Sequence, residues 1–173
     1  EMVSGLDLPV GFKNGTDGSL GIACDAMRSA EHPHQHFGID ELGHPALLST
    51  SGNGDTHLVL RGGHSGPNFD EDSVAKARDT LLRQGIAQRI MVDCSHANSG
   101  KNPLSQPAVL SSVVDQRMAG DSSLRGVMLE SHLFDGCQPL SGELRYGVSI
   151  TDGCLGWSAT ERMLLGEADR LRR

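Results

Sequence analysis

Positive charge is in short supply. Lys and Arg number 15 against 22 Asp and Glu, a net charge of −7 over 173 residues, which excludes a generally basic nucleic-acid binder. Any anion must therefore be met by a local cluster of cations. No apolar run approaches the roughly 20 residues of a membrane span, and no charged segment followed by an apolar stretch opens the chain. The expectation is a soluble, unsecreted, cytoplasmic protein without membrane or nucleic-acid partners. The four cysteines, Cys24, Cys94, Cys137 and Cys154, form no C-x-x-C pair and read as reduced thiols. A chain of this length needs no disulfide staples, since one domain of ordinary size buries roughly 70% of its unfolded surface. Aromatics are scarce at 3%, whereas Gly supplies 22 of the 173 positions, so tight turns and close backbone approaches are frequent. The Gly-rich segment Ser51 to Asp55 lacks the Lys-Ser/Thr ending of a phosphate loop and reads as a turn. The Asn14-Gly15-Thr16 sequon reads as chance.

Periodicity gives strands alternating with helices, without linker or low-complexity segments, and so one domain over residues 1–173. The first strand is Pro9 to Lys13. Asp17 is a candidate N-cap for a helix reaching about Glu31, with Leu20, Cys24, Met27 and Ala30 on one face. The alternating runs His34 to Ile39 and Pro45 to Thr50 read as an inserted β-hairpin. A second strand runs from Thr56 to Arg61. Asp70 then caps a helix burying Val74, Ala77, Leu81 and Leu82, which Gly85 ends. A third strand follows at Arg89 to Cys94. A helix with Val109, Leu110, Val113, Val114 and Met118 precedes the strand Gly126 to Glu130. A capping box from Ser158 to Glu161 opens the last helix, with Met163, Leu164, Leu165, Ala168 and Leu171 on its buried stripe. The strands are apolar on both faces, as parallel strands covered by helices should be. The fold class is parallel α/β.

Each strand ends in a polar or charged residue: Lys13, Arg61, the Asp93 to His96 stretch and Glu130. In parallel α/β sheets the ligand site lies beyond the carboxyl ends of the strands, so these side chains are expected to converge. His96, Glu130 and Asp152 combine an imidazole with two carboxylates, a donor set suited to Mn, Fe, Co or Zn. The alternative is a satisfied structural histidine beside capping or solvated carboxylates. Lys13 and Arg61 follow apolar strands and precede Gly-rich turns, a placement suited to phosphate or carboxylate. Gly62 and Gly63 would let backbone approach such an anion, and the helix N-terminus after Asp17 would add partial positive charge. His32, His34 and His36 alternate, so on a strand they would share one face as a possible surface chelate.

The segments Pro9-Val10-Gly11-Phe12-Lys13-Asn14-Gly15-Thr16-Asp17-Gly18, Thr50-Ser51-Gly52-Asn53-Gly54-Asp55 with Leu60-Arg61-Gly62-Gly63, Asp93-Cys94-Ser95-His96-Ala97-Asn98, Val127-Met128-Leu129-Glu130-Ser131-His132-Leu133 and Ser149-Ile150-Thr151-Asp152 with Gly156-Trp157 closely resemble the short-chain class I 3-deoxy-D-arabino-heptulosonate 7-phosphate synthases. The similarity runs in order along essentially the whole chain. It implies the carboxyl-terminal half of a (β/α)8 TIM barrel, about four β/α units plus the hairpin insertion. It implies a transferase of aromatic amino acid biosynthesis that condenses phosphoenolpyruvate with erythrose 4-phosphate and releases phosphate, the first step of the shikimate pathway. By the same resemblance His96, Glu130 and Asp152 are metal ligands, with Mn the preferred ion. Lys13 contacts phosphoenolpyruvate and takes part in proton transfer, and Arg61 binds phosphate. His96 also moves the proton of the attacking water, His96 and Asp152 face the substrates, and Asp93 and Ser95 shape the loop carrying His96.

The sequence departs from that pattern at its start. It opens on Glu1 at what resembles the family's fifth strand, so the family's cysteine ligand and its Lys-Pro-Arg-Thr and Gly-Ala-Arg motifs are not among these residues. Such a half-barrel has open sheet edges; it is expected to need the amino-terminal half or to form a homo-oligomer. A catalytically inactive half-barrel that retains only anion and weak metal binding is the alternative. The hairpin has His36-Phe37-Gly38-Ile39-Asp40 where regulated members usually carry Phe-Leu-Ser-Val-Thr, which implies weak feedback inhibition or a different effector.

Overall fold

The computed structural model describes residues 1–172. Four parallel strands, β1 (Val10–Lys13), β4 (Thr56–Leu60), β5 (Ile90–Asp93) and β6 (Leu124–Met128), form one sheet in the order β1-β4-β5-β6. A hairpin of β2 (Gln35–Ile39) and β3 (Pro45–Ser49) is inserted between α1 (Gly21–Ala30) and β4. The helices α2 (Glu71–Arg83) and α3 (Gln106–Met118) follow β4 and β5. Two short parallel strands, β7 (Ser131–His132) and β8 (Leu155–Gly156), lead into α4 (Trp157–Leu171). The mixed α/β fold with a parallel sheet is the one expected from the alternating periodicity.

Strand side chains alternate between two faces. On one face Phe12, Leu58, Leu60, Ile90 and Val92 join Cys24 and Met27 of α1, Val74, Ala77 and Leu81 of α2, and Val109, Leu110 and Val113 of α3 in the core. By the same alternation Lys13, Val59, Met91 and Asp93 belong to the opposite face; the register pairs Lys13 with Val59 and Val59 with Met91. A register shift between Ile90 and Met91 brings Gly126 beside Met91 and Met128 beside Asp93. Helices cover only one face of this sheet. The Val127 to Leu129 stretch of the end strand is accordingly half-buried, not enclosed on both faces as its apolar sequence suggests.

Several local expectations fail for tertiary reasons. Asp17 does not cap α1, whose N-cap is Leu20 without a side-chain bond; its carboxylate accepts from the Ser19 N–H instead, closing a turn two residues long. Asp70 does cap α2, accepting from the Ser73 N–H at 2.9 Å, and Gly85 ends that helix at φ 71°. The capping box at Ser158 is not formed, because α4 begins two residues earlier, at Trp157 behind Gly156. Leu82 and Met118 are exposed, as are Leu164, Leu165 and Leu171 of α4. That helix reaches the main core only through Met163, since the two-residue strands before it offer little sheet to cover. His32 and His34 precede β2 and give ring nitrogens to the Arg28 and Ser29 carbonyls at 2.7 Å each. The three-histidine chelate is therefore not assembled.

All four cysteines are free, Cys24 and Cys94 in the core and Cys137 exposed. Burial, with a smaller contribution from the Asp93 carboxylate, pushes the Cys94 thiol up to about 12. With a disulfide reagent at about pH 8, Cys137 should react at once, and Cys24 and Cys94 only after denaturation. Rapid labelling of Cys94 in the native chain would show that the β5 end is open to solvent.

Candidate active site

The carboxyl ends of β1, β4 and β5 are stitched together by amide side chains. Asn14, 3% exposed, donates from Nδ2 to the Gly62 carbonyl at 2.9 Å and accepts from the Arg61 N–H at 2.8 Å. Asn68 accepts from the Gly62 N–H at 2.7 Å. Asn98 donates to the carbonyls of Leu60 and Asp93 at 3.1 and 2.8 Å. Buried amides satisfy backbone groups that the strands leave unpaired where they end. Asn14 is thus a structural bracket with its Nδ2 occupied, which removes any use of the sequon. Its position directly after a strand was the available sequence signal; Asn98, five residues past the end of β5, had none.

Asp93 ends β5 with its side chain 1% exposed, and Lys13 Nζ at the end of β1 donates to its Oδ2 at 2.7 Å. Burial disfavours the charged carboxyl; the Lys13 ammonium and the Ser95 hydroxyl and N–H outweigh that penalty and hold its pKa below the ordinary value. His96 lies beyond, in a left-handed backbone conformation with φ 50°. For a non-Gly residue this conformation is uncommon and is sustained by its surroundings. Its carbonyl accepts from the Lys101 N–H at 2.7 Å. The ring presents Nδ1 to Asp93 Oδ2 at 2.9 Å and Nε2 to Glu130 Oε1 at 3.5 Å.

Glu130 sits two residues past β6. Its backbone is gripped from both sides by Gln106, which is 0% exposed: Gln106 Nε2 donates to the Glu130 carbonyl at 3.0 Å, and the Glu130 N–H donates to Gln106 Oε1 at 2.8 Å. Sequence reasoning missed this residue, because a Gln in the first turn of an amphipathic helix carries no distinguishing pattern. Gln106→Ala leaves the Glu130 N–H unpaired, while the Glu130 carbonyl keeps the Leu155 N–H at 3.1 Å, and should destabilise the chain by about 2 kcal/mol, read from urea unfolding. A loss below about 1 kcal/mol would show that the clamp does not hold this strand end.

Asp152, in the bend before β8, completes the set. One ligand atom each from His96, Glu130 and Asp152 lies within 4.8 Å of the others, the one such group of three or more metal-type donors found among the described residues. Ser95, Gln106 and Gly153 join them around a narrow cleft. The donors fit a divalent ion, because the far ring nitrogen of His96 is tied to a carboxylate, the arrangement that orients metal-binding imidazoles. Arg61 stands on the same rim. Leu60 pairs with Val92, so Arg61 is level with Asp93, and its guanidinium engages no carboxylate among the described residues. The glycines beside it do not offer their backbone to an anion: the Gly62 N–H donates to Asn68 Oδ1 and the Gly63 N–H to the Gly66 carbonyl. The space of the missing Gly63 Cβ is filled by Gly18 backbone at 2.4 Å, and that of Gly62 by Ala97 and Asn98 at 2.7 to 2.9 Å. They serve the approach of loop to loop.

A parallel sheet whose carboxyl ends gather an imidazole and two carboxylates beside a lysine-carboxylate-histidine chain defines an α/β strand-end site with a metal-type donor set. The chain belongs to the DAHP synthetase I family, whose model it matches over residues 1–165. It is 49% identical over 181 residues to the tyrosine-inhibited phospho-2-dehydro-3-deoxyheptonate aldolase of Schizosaccharomyces pombe, covering 100% of this chain and 49% of that protein. It is 48% identical over 167 residues to the Tyr-sensitive phospho-2-dehydro-3-deoxyheptonate aldolase of Escherichia coli K12, covering 95% of this chain and 47% of the relative. The solved phospho-2-dehydro-3-deoxyheptonate aldolase of Francisella tularensis SCHU S4 superposes with a TM-score of 0.92 at 39% identity, covering 100% of this chain and 51% of that one. The chain thus spans about half the length of these relatives. No helix among the described residues is long and apolar enough to cross a membrane.

Proposed function

We propose that residues 1–173 are one partial-barrel domain, the carboxyl-terminal half of a (β/α)8 barrel, and that with its complementary half it acts as a 3-deoxy-7-phosphoheptulonate synthase. The single observation that carries this reading is the continuous contact from Lys13 through Asp93 to His96 and on to Glu130, with Asp152 beside them. Family membership and the names of the relatives support the chemistry. The buried thiols of Cys24 and Cys94 suit a reducing compartment, hence the cytoplasm.

In this reading His96 Nε2 and the carboxylates of Glu130 and Asp152 would hold a divalent ion, Mn²⁺ by preference, which when bound polarises the aldehyde oxygen of erythrose 4-phosphate. Lys13 and Arg61 bind the phosphate and carboxylate of phosphoenolpyruvate and hold its C3 in line with the aldehyde carbon. C3 attacks that carbon, and Lys13 Nζ supplies the proton as the aldehyde oxygen becomes a hydroxyl. Water adds at C2 and returns one proton to Lys13 Nζ, and cleavage of the C–O bond releases phosphate carrying the other. With Nε2 facing the carboxylates and Nδ1 against Asp93 and Ser95, His96 has no free ring nitrogen to take the water's proton, and the transfer falls to Lys13.

The test supplies the missing half. The chain alone, with Mn²⁺ and both substrates, should consume no phosphoenolpyruvate. Adding the complementary half of the Escherichia coli relative should restore phosphate release dependent on erythrose 4-phosphate. Turnover by the chain alone would overturn the half-barrel account, and a complemented barrel that assembles without turnover would favour the inactive alternative.

A further inference from the structure

Three hydrogen bonds and one further close contact surround the Asp93 carboxylate. Oδ1 accepts from the Ser95 N–H at 3.0 Å and the Ser95 hydroxyl at 2.8 Å. Oδ2 faces Lys13 Nζ at 2.7 Å and His96 Nδ1 at 2.9 Å. Ser95 Oγ also lies 2.8 Å from His96 Nδ1. The Ser95 proton is committed to Asp93, so Nδ1 faces two acceptors. A bare Nδ1 lone pair there would oppose a carboxylate oxygen at 2.9 Å and a hydroxyl oxygen at 2.8 Å, whereas an Nδ1–H donates to the Ser95 hydroxyl and lies beside the Asp93 carboxylate; Nε2 has no acceptor so near, Glu130 Oε1 being 3.5 Å away. The neutral ring then carries its free lone pair on Nε2, the atom turned toward Glu130. The Lys13 ammonium neutralises Asp93 from the other side, which allows a carboxylate to remain charged at 1% exposure.

We propose that Asp93 is a positioning residue that fixes His96 as the Nδ1–H tautomer and so aims the Nε2 lone pair at Glu130 and Asp152. The proposal rests on the metal reading above only for its purpose; the tautomer itself is set without an ion. Asparagine cannot replace Asp93, because its amide nitrogen would face donors on whichever side it lay.

The test uses the 173-residue chain, ¹⁵N-labelled and metal-free, at a pH where the ring is neutral, with His96 resonances assigned through His96→Gln. The expected ring-nitrogen pattern is protonated Nδ1 and unprotonated Nε2. An Nε2–H tautomer in the unmutated chain overturns the proposal without any Asp93 variant, so it stays testable if Asp93→Asn fails to fold. In folded Asp93→Asn the tautomer preference should be lost, and Mn²⁺ affinity, followed by loss of the free-ion EPR signal, should fall about 10- to 100-fold. An unchanged tautomer and affinity in that variant would refute the positioning role. An Nδ1–H tautomer in a chain that binds no Mn²⁺ would sustain the positioning and show that these three donors alone do not hold the ion.

Discussion

Glu130→Ala should reduce Mn²⁺ binding by this chain and turnover of the complemented barrel by at least about 100-fold, beyond the effect of losing a supporting group. The reasoning is electrostatic and geometric. Glu130 supplies one of three donors grouped within 4.8 Å and a full negative charge. Its removal leaves one imidazole and one exposed carboxylate, too little to compete with water for a divalent ion. The fold should survive, because Gln106 holds Glu130 through backbone atoms, which the substitution leaves in place. Glu130→Gln keeps shape and an oxygen donor but removes the charge, so it should fall between the two in affinity. Calorimetric Mn²⁺ titration of all three forms checks the order; wild-type affinity in Glu130→Ala means the ligand assignment is mistaken.

The second large effect concerns stability. Gly63→Ala would place a methyl 2.4 Å from Gly18 N, 2.5 Å from Gly18 Cα and 2.9 Å from the Asp17 carbonyl carbon. All three are backbone atoms, with no rotamer by which to retreat, so the loops after β1 and β4 must separate. Those loops are joined by the His64 N–H donating to the Thr16 carbonyl at 2.9 Å and by the Asn14 bracket, which their separation strains as well. The expected cost is about 3 kcal/mol or more, seen as a lower urea midpoint. Any fraction that folds should bind inorganic phosphate less well, because Lys13 and Arg61 stand at the bases of the displaced loops. Gly54→Ala is the control: its Cβ meets nothing within 4 Å, and the change should stay within about 1 kcal/mol. Equal midpoints for the two variants would show that the loop contact is not tight in solution.

Much of the architecture was legible because helix and strand periodicities are local. The core faces of α1 and α2 at Cys24, Met27, Val74, Ala77 and Leu81 follow from apolar spacing alone, and the Asp70 cap from one residue type before an amphipathic run. The rule that ligands gather beyond parallel strand ends picked out Lys13, Arg61, His96 and Glu130 without coordinates. Where local signals failed, a nearby competitor or a missing neighbour was the cause. Asp17 had a closer N–H to satisfy at Ser19, and the leucines of α4 look inward by pattern but have little sheet beneath them.

Residue types and their order thus determined the α/β class, the polar strand ends and the candidate donors. Only the tertiary structure decided that Lys13 meets a carboxylate 80 positions away, that Gln106 grips Glu130 and that Gly63 makes room for backbone, not for an anion. These contacts depend on strand order and register, which place residues from distant segments within a few ångströms, and local periodicity carries no information about distances across the sheet.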